Sequence, residues 1–215
     1  MADKVPASRL ITEGFYLLSF GFVAMYLLRT SDSYLAFDAG MRAGSVLEEL
    51  KRFEIDPSQV KNVLLTHSDM DHVGGLTALP EAKIYLPELE QPMVARKIPR
   101  FFGLMHNKPL AREYEVLSDG RELRIEGSSI RCLSTPGHTP GSMSFVVNDS
   151  ILIVGDELNL NHGKAVLDRR MINMDNSQRR KSIMQLARLK GISLLCTMHS
   201  GYTDRFGEAM AAWTI

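Results

Sequence analysis

Thr66-His67-Ser68-Asp69-Met70-Asp71-His72-Val73-Gly74-Gly75 sets two imidazoles and two carboxylates within six residues, directly after an apolar run. That run, Val63-Leu64-Leu65, reads as a short buried strand, and Gly74-Gly75 marks the place where the chain turns away from it. The cluster therefore falls on a loop at the end of a sheet strand, where function is commonly carried. Imidazole nitrogen together with carboxylate oxygen suits zinc, iron or manganese better than calcium or magnesium. A polar turn whose Asp and Ser side chains cap a following helix is the other reading of the same stretch.

Upstream, strand-like runs at Phe15 to Phe20, Phe22 to Leu28 and Tyr34 to Phe37 are separated by turn residues, and Asp38-Ala39-Gly40 ends the third. Val46, Leu47, Leu50 and Phe53 then recur at helical spacing, which predicts an amphipathic helix that stops before Asp56-Pro57. Downstream, Pro87 to Arg112 breaks the rhythm, with prolines around Phe101, Phe102, Met105 and His106. It reads as a helical insertion at about 87–112 that forms a lid or substrate wall, or as a surface excursion that packs its own aromatics. Strands resume at Glu122 to Ile125, Ile130 to Ser134, Met143 to Val147 and Ile151 to Val154. A helix over Ser177 to Lys190, capped near Asn176 and ended by Gly191, leads to a last strand, Ser193 to Thr197. Each half thus runs strands, helix, then a strand with polar residues at its end. That order predicts one α/β domain over residues 1–215, with two sheets packed face to face and helices outside.

Three further candidate ligands sit in comparable places. His138 lies in the turn Thr135-Pro136-Gly137-His138-Thr139-Pro140-Gly141-Ser142, Asp156 follows the apolar run ending at Gly155, and His199 follows the last strand. Any one alone would more often be structural. Seven ligand-type side chains at strand ends can converge on one edge of a sandwich, and that number suits a bridged pair of metals better than a single four-coordinate zinc.

Taken in order, Asp38-Ala39-Gly40, the His67 loop, the Pro-Gly-His-Thr-Pro-Gly-Ser stretch, Gly155-Asp156 and His199 resemble the metallo-β-lactamase superfamily of metal-dependent hydrolases, over nearly the whole chain. The resemblance implies a four-layer αββα sandwich of two mixed sheets with helices outside and the metals at the open edge of the sheets. By position it implies that His67, Asp69 and His138 hold one divalent ion, that Asp71, His72 and His199 hold a second, and that Asp156 bridges them. Asp38 resembles the family's structural Asp, which orients the ligand loop by hydrogen bonding. The family pattern at the first loop is His-x-His-x-Asp-His, and here Asp69 stands where the second His is usual. Zinc is the family's usual ion; oxygen at this position, as in flavodiiron relatives that carry Glu there and bind iron, moves the choice toward iron or manganese. At the last ligand, Thr197-Met198-His199-Ser200-Gly201 replaces the common Pro-Gly-His-Gly.

Composition narrows the function. Lys plus Arg and Asp plus Glu are each 25, so no net field draws the chain toward nucleic acid or an anionic membrane, and a small-molecule substrate is expected. The basic run Arg179-Arg180-Lys181 is most simply the solvated face of its helix, or else a local anion site. Cys132 and Cys196 lie in apolar segments and read as small buried hydrophobes, which fits a cytoplasmic, reducing location. The opening residues lack the layout of a signal peptide, and Phe15 to Leu28 reads as two strands in place of a membrane span.

Two cations sharing a water would lower its pKa enough to supply hydroxide near neutral pH. Asp71 and Asp156 are the catalytic candidates, Asp71 orienting the nucleophile as well as ligating. Tyr202 is a candidate donor to the developing oxyanion or a packed tyrosine; His162 and Lys164 are candidates to meet an anionic substrate or are simply exposed. Phe101, Phe102 and Met105 suggest an apolar substrate wall and would serve a homodimer contact equally well. No nucleophile elbow, phosphate loop or dinucleotide fingerprint competes. The leading expectation is a binuclear hydrolase of an ester, thioester or lactone, like the glyoxalase II and lactonase relatives. A diiron oxidoreductase-like protein and a non-catalytic metal-binding or regulatory member of the fold are the alternatives.

Overall fold

The computed structural model describes residues 2–100, 103–110, 112–167 and 170–214. Among them, β1 (Arg9–Thr12), β2 (Phe15–Ser19), β3 (Ala24–Arg29), β4 (Tyr34–Phe37), β5 (Val60–Leu64), β6 (Lys83–Pro87) and β7 (Tyr114–Leu117) form one sheet whose spatial order is the chain order. Its first four strands pair antiparallel as a meander, and β4 to β7 pair parallel. The second sheet is built from β8 (Glu122–Ile125), β9 (Ser128–Ser134), β10 (Met143–Val147), β11 (Ile151–Ile153), β14 (Leu194–Thr197) and β15 (Gly201–Thr203), with β11 and β14 parallel. A hairpin of β12 (Asn159–Asn161) and β13 (Lys164–Val166) stands apart.

Both sheets are mixed, and their central strands are apolar on both faces because both faces are covered. β10 is buried along its whole length. Its Met143, Phe145 and Val147 enter the core between the sheets, while the alternating Val146 faces the outer layer, as the two-residue period of a strand requires. Phe15, Leu17, Tyr26, Phe37 and Leu64 meet Cys132, Phe145, Ile153 and Cys196 in that inter-sheet core. On the outer side of the first sheet, α1 (Ala43–Arg52) seats Val46 and Leu50 over Leu18, Leu27, Ala36 and Val63. On the outer side of the second, α4 (Asn176–Leu186) and α5 (Phe206–Met210) bury Ile183, Leu186 and Met210 against Val146, Leu152 and Leu195. The result is the expected αββα layering.

Several local expectations are revised. Leu47, read as part of the apolar face of α1, is 43% exposed, because the buried stripe of the helix runs through Val46 and Leu50. The cap of α4 is Asp175, whose carboxylate accepts from the Gln178 N–H at 2.8 Å, in place of Asn176, and the helix ends at Leu186, before Lys190. Arg179, read as part of a solvated face, is buried. β1, β6, β7 and the β12–β13 hairpin escape the sequence reading because each is short and carries polar residues or proline. The 87–112 segment contains α3 (Gln91–Val94) and an isolated bridge between Arg100 and Met105; Phe101 and Phe102 lie outside the described residues. Cys132 and Cys196 are buried and unpaired, and burial pushes the Cys132 thiol up to about 12. No helix among the described residues is long and apolar enough to cross a membrane.

The topology carries a functional consequence. Parallel β4 and β5 deliver Asp38 and the Thr66 loop at their carboxyl ends, and parallel β11 and β14 deliver Asp156 and His199 at theirs. Side chains that bind or react collect at such ends in open α/β sheets. The rings of Phe37 and Phe145, 5.7 Å apart, tie the two sheets together beneath that edge. Phe145→Ala is expected to destabilise the chain by roughly 3–5 kcal/mol, measured as a lowered urea midpoint at unchanged m-value.

Candidate metal centre

The loop after β5 begins at Thr66, and its geometry is set by Asp38, the residue that ends β4. Asp38 is fully buried with a φ of 59°. Its Oδ1 accepts the Thr66 N–H at 2.7 Å, and its Oδ2 accepts the Thr66 hydroxyl at 2.8 Å. The same Oδ2 lies 2.7 Å from Nδ1 of His72, on α2 (Met70–Val73), so that nitrogen is the N–H donor. Having donated to Asp38, the Thr66 hydroxyl accepts from Nδ1 of His67 at 3.0 Å. Gly155 stands close behind with a φ of 57°, and a Cβ there would come within 2.8 Å of the Thr66 side chain.

The other two histidines are oriented in the same sense. Nδ1 of His138 meets Oδ1 of Asn173 at 2.9 Å, and Nδ1 of His199 donates to the Phe22 carbonyl at 2.7 Å, with the Phe22 ring stacked on the imidazole. Each imidazole therefore directs Nδ1–H outward, which leaves the Nε2 lone pair facing inward; the tautomers follow from these partners. The four rings form a connected group: His67 is 4.0 Å from His72 and 4.8 Å from His138, and His72 is 5.7 Å from His199.

Carboxylates complete the cluster. His199 Nε2 is 2.9 Å from Asp156 Oδ2 and 3.4 Å from Asp71 Oδ2; His72 Nε2 is 3.4 Å from Asp156 Oδ1. The ligand atoms of His67, Asp69 and His138, of His67, His72 and Asp156, and of Asp71, His72 and His199 each lie within 4.8 Å of one another. All seven metal-ligand candidates are thus brought together, from four separate loops. Nε2 of His67, Nε2 of His72 and Oδ1 of Asp156 are buried and make no hydrogen bond. Three adjacent buried acceptors without a donor are costly unless a cation satisfies them, and this donor set fits a divalent transition metal.

The electrostatics point the same way. Burial works against the charge of Asp156, but His199 and His72 hold its carboxyl well below the usual range. Burial likewise opposes ionisation of Asp69, and the neighbouring His138, His67 and Arg100 outweigh it and hold its carboxyl well below the usual range. His72 is drawn toward protonation against its burial by Asp156, Asp71 and Asp38, and His199 by Asp156. The cluster is short of positive charge, and a divalent ion would displace those protons.

Several residues that the sequence reading passed over support the cluster. Arg100, 1% exposed, places its Nε 2.9 Å from Asp69 Oδ1 and pairs through Nη2 with Asp69 Oδ2. Asn107 donates to the Ser68 carbonyl at 2.9 Å and to Asp69 Oδ1 at 3.2 Å. Buried Glu90 accepts from Ser68 N–H at 2.8 Å and from the Thr139 hydroxyl at 2.6 Å, joining the His67 and His138 loops. Arg179 donates to the carbonyls of Asp156 and Glu157, both at 2.6 Å. A lone arginine in an apolar segment or within a charged helical run carries no signal of its own in sequence. Of the remaining candidates, Tyr202 is half-buried and packs on the inter-sheet core. His162 is exposed at the β12–β13 turn, where its N–H donates to Asp3, and Lys164 is exposed beside it.

A cleft of about 460 Å³ opens beside Asp69 and Asp71. Met41, Met70, Val73, Leu76, Met105 and Leu110 supply its apolar wall.

Residues 18–199 match the family model of the metallo-beta-lactamase superfamily. The chain belongs to that superfamily. It is 31% identical over 187 residues to the lactamase-like protein aptB of Emericella nidulans, an alignment covering 86% of this chain and 53% of that protein. Identity to the hydroxyacylglutathione hydrolase of Aeromonas hydrophila is 33% over 138 residues, 62% of this chain and 46% of that one. The chain thus spans about half the length of these curated relatives. Among solved structures, a metallo-beta-lactamase of Cronobacter sakazakii with a HARLDQ motif superposes with a TM-score of 0.74 at 16% identity, covering 98% of this chain and 90% of that one. A B3 metallo-beta-lactamase with an active-site glutamic acid gives 0.74 at 21% identity, covering 97% and 88%. These likenesses show the shared metallo-beta-lactamase fold.

The Asp38 network generates a direct expectation for this superfamily member. Asp38→Asn keeps the shape but offers an amide in place of one oxygen, so His72 loses its fixed tautomer. Metal affinity, measured by competition with a chromophoric chelator, is expected to fall ~10–100-fold, with the far-ultraviolet circular dichroism unchanged.

Proposed function

We propose that this chain is a metal-dependent hydrolase that cleaves an ester, thioester or lactone bond in a small molecule with an apolar acyl portion. The observation that carries the reading is the set of inward-facing Nε2 atoms, with His67 and His72 and the adjacent Asp156 oxygen left without hydrogen-bond partners. Membership of a superfamily with hydrolase relatives supports it, including a hydroxyacylglutathione hydrolase and an atrochrysone carboxyl ACP thioesterase.

When bound, the metal supplies positive charge that polarises an acyl oxygen and acidifies a nearby water. His67, His72, His138 and His199, with Asp69, Asp71 and Asp156, are the candidate ligands from which it would be held. Zinc is the ion favoured by the family resemblance, with iron or manganese as the alternatives that the extra carboxylate raises. Asp71 differs from the other two carboxylates of the cluster in being partly exposed, with 25% of its side chain accessible, and it lines the cleft together with Asp69. That position suits it to orient the attacking water and to hold its proton before transfer to the leaving group. The apolar wall from Met41 to Leu110 excludes water from the acyl side and selects for hydrophobic bulk.

Hydrolysis of a panel of acyl thioesters, p-nitrophenyl esters and lactones is expected to be lost on chelation and restored by one of zinc, manganese or ferrous iron. Asp71→Asn is expected to lower kcat by ~10²–10⁴-fold with KM changed far less. Full activity in the chelated, metal-free protein would overturn the reading.

A further inference from the structure

Arg100 is a feature of the cluster that a pair of metal ions does not explain. Its five N–H donors all have acceptors. Nε donates to Asp69, at 2.9 Å to Oδ1 and 3.1 Å to Oδ2. Nη2 pairs with Asp69 Oδ2 and lies 3.1 Å from Nε2 of His138. Nη1 donates to the carbonyls of His138 at 3.2 Å and Ile172 at 3.0 Å. With Nδ1 of His138 directed at Asn173, Nε2 is the acceptor, so the guanidinium takes the lone pair that a metal would need. Two members of the His67–Asp69–His138 group are thereby engaged by a cation that belongs to the chain. Asn107 reinforces the arrangement by donating to Asp69 Oδ1 at 3.2 Å.

Of the three orphaned atoms, two lie outside that group, and the third, on His67, is shared with the His67–His72–Asp156 group. His67 Nε2, His72 Nε2 and Asp156 Oδ1 lack hydrogen bonds, whereas the Asp69 carboxylate and His138 Nε2 do not. A guanidinium already pairs with Asp69, so a second divalent ion on that side would face a fixed positive charge in a site of low dielectric.

We infer that Arg100 stands in for one of the two cations: the chain holds a single divalent ion on the His72–Asp156 side, drawing on His67, Asp71 and His199, while the guanidinium fills the Asp69–His138 side. The inference rests on the proposal that the cluster binds metal, and it replaces the pair of ions that the number of ligand-type side chains suggests.

The test is metal stoichiometry, independent of activity. Chelator-stripped protein is titrated with cobalt(II), followed by its visible absorption, and with zinc, followed by elemental analysis after dialysis. One equivalent per chain is expected for the unaltered protein and two for Arg100→Met, which keeps the apolar stem and removes the charge. His138→Ala is expected to retain one equivalent with affinity within ~tenfold, and His72→Ala to lose it. Two equivalents in the unaltered protein, a single equivalent in folded Arg100→Met, or loss of binding in His138→Ala would each overturn the inference. No binding in the unaltered protein would instead remove the metal reading on which it rests. If Arg100→Met does not fold, the unaltered and His138→Ala proteins still decide the count.

Discussion

The carboxylate of Asp38 is the contact on which the metal cluster depends. It is fully buried, and a buried charge persists only where donors surround it. Its donors are the Thr66 N–H, the Thr66 hydroxyl and Nδ1 of His72. Because the Thr66 hydroxyl is committed to Asp38, its lone pair is turned to His67. One carboxylate thus orients two imidazoles, one directly and one through a relay, and it does so from the end of β4, whose backbone is paired to β5 in parallel register.

The two sheets are joined at the same edge. Met143 N–H donates to the Thr66 carbonyl at 2.9 Å, Tyr26 donates to the Thr197 carbonyl at 2.9 Å, and His199 is anchored to Phe22 in the turn between β2 and β3 of the first sheet. Glu90 ties the His67 loop to the His138 loop, and Arg179 holds the Asp156 loop from α4. Apart from Asp71, each candidate ligand is therefore positioned, directly or through a neighbour, by an element other than the one that carries it, which is how a site on loops is kept rigid enough to bind metal. The apolar cleft beside Asp71 then gives the cluster access from one direction.

Much of this architecture was legible in the chain. Apolar runs such as Met143 to Val147 and Ile151 to Val154 announce buried strands because a strand covered on both faces is apolar at nearly every position, and the one polar residue, Ser144, is satisfied by the Thr135 hydroxyl. The ligand loop after Val63-Leu64-Leu65 was legible because its residue types have few other uses together. β6, with its Lys83 and Pro87, was not, since its place in the sheet depends on the strands beside it and not on its own pattern. Nor was the inward turn of Arg179, whose charged neighbours Arg180 and Lys181 suggest a solvated face.

The amino-acid sequence by itself determined the family, the layered α/β fold and the seven side chains that converge. Each of these follows from local composition and from the order of motifs along the chain. Only the tertiary structure decided which nitrogen of each histidine faces inward, because that depends on Asp38, Asn173 and the Phe22 carbonyl, brought from distant positions. It alone paired Asp69 with Arg100, residues separated by 31 positions. Asp69 is an ordinary ligand type in sequence; its meaning changes once a buried guanidinium takes both of its oxygens, and a buried cation finds its partner through the fold and not through spacing along the chain.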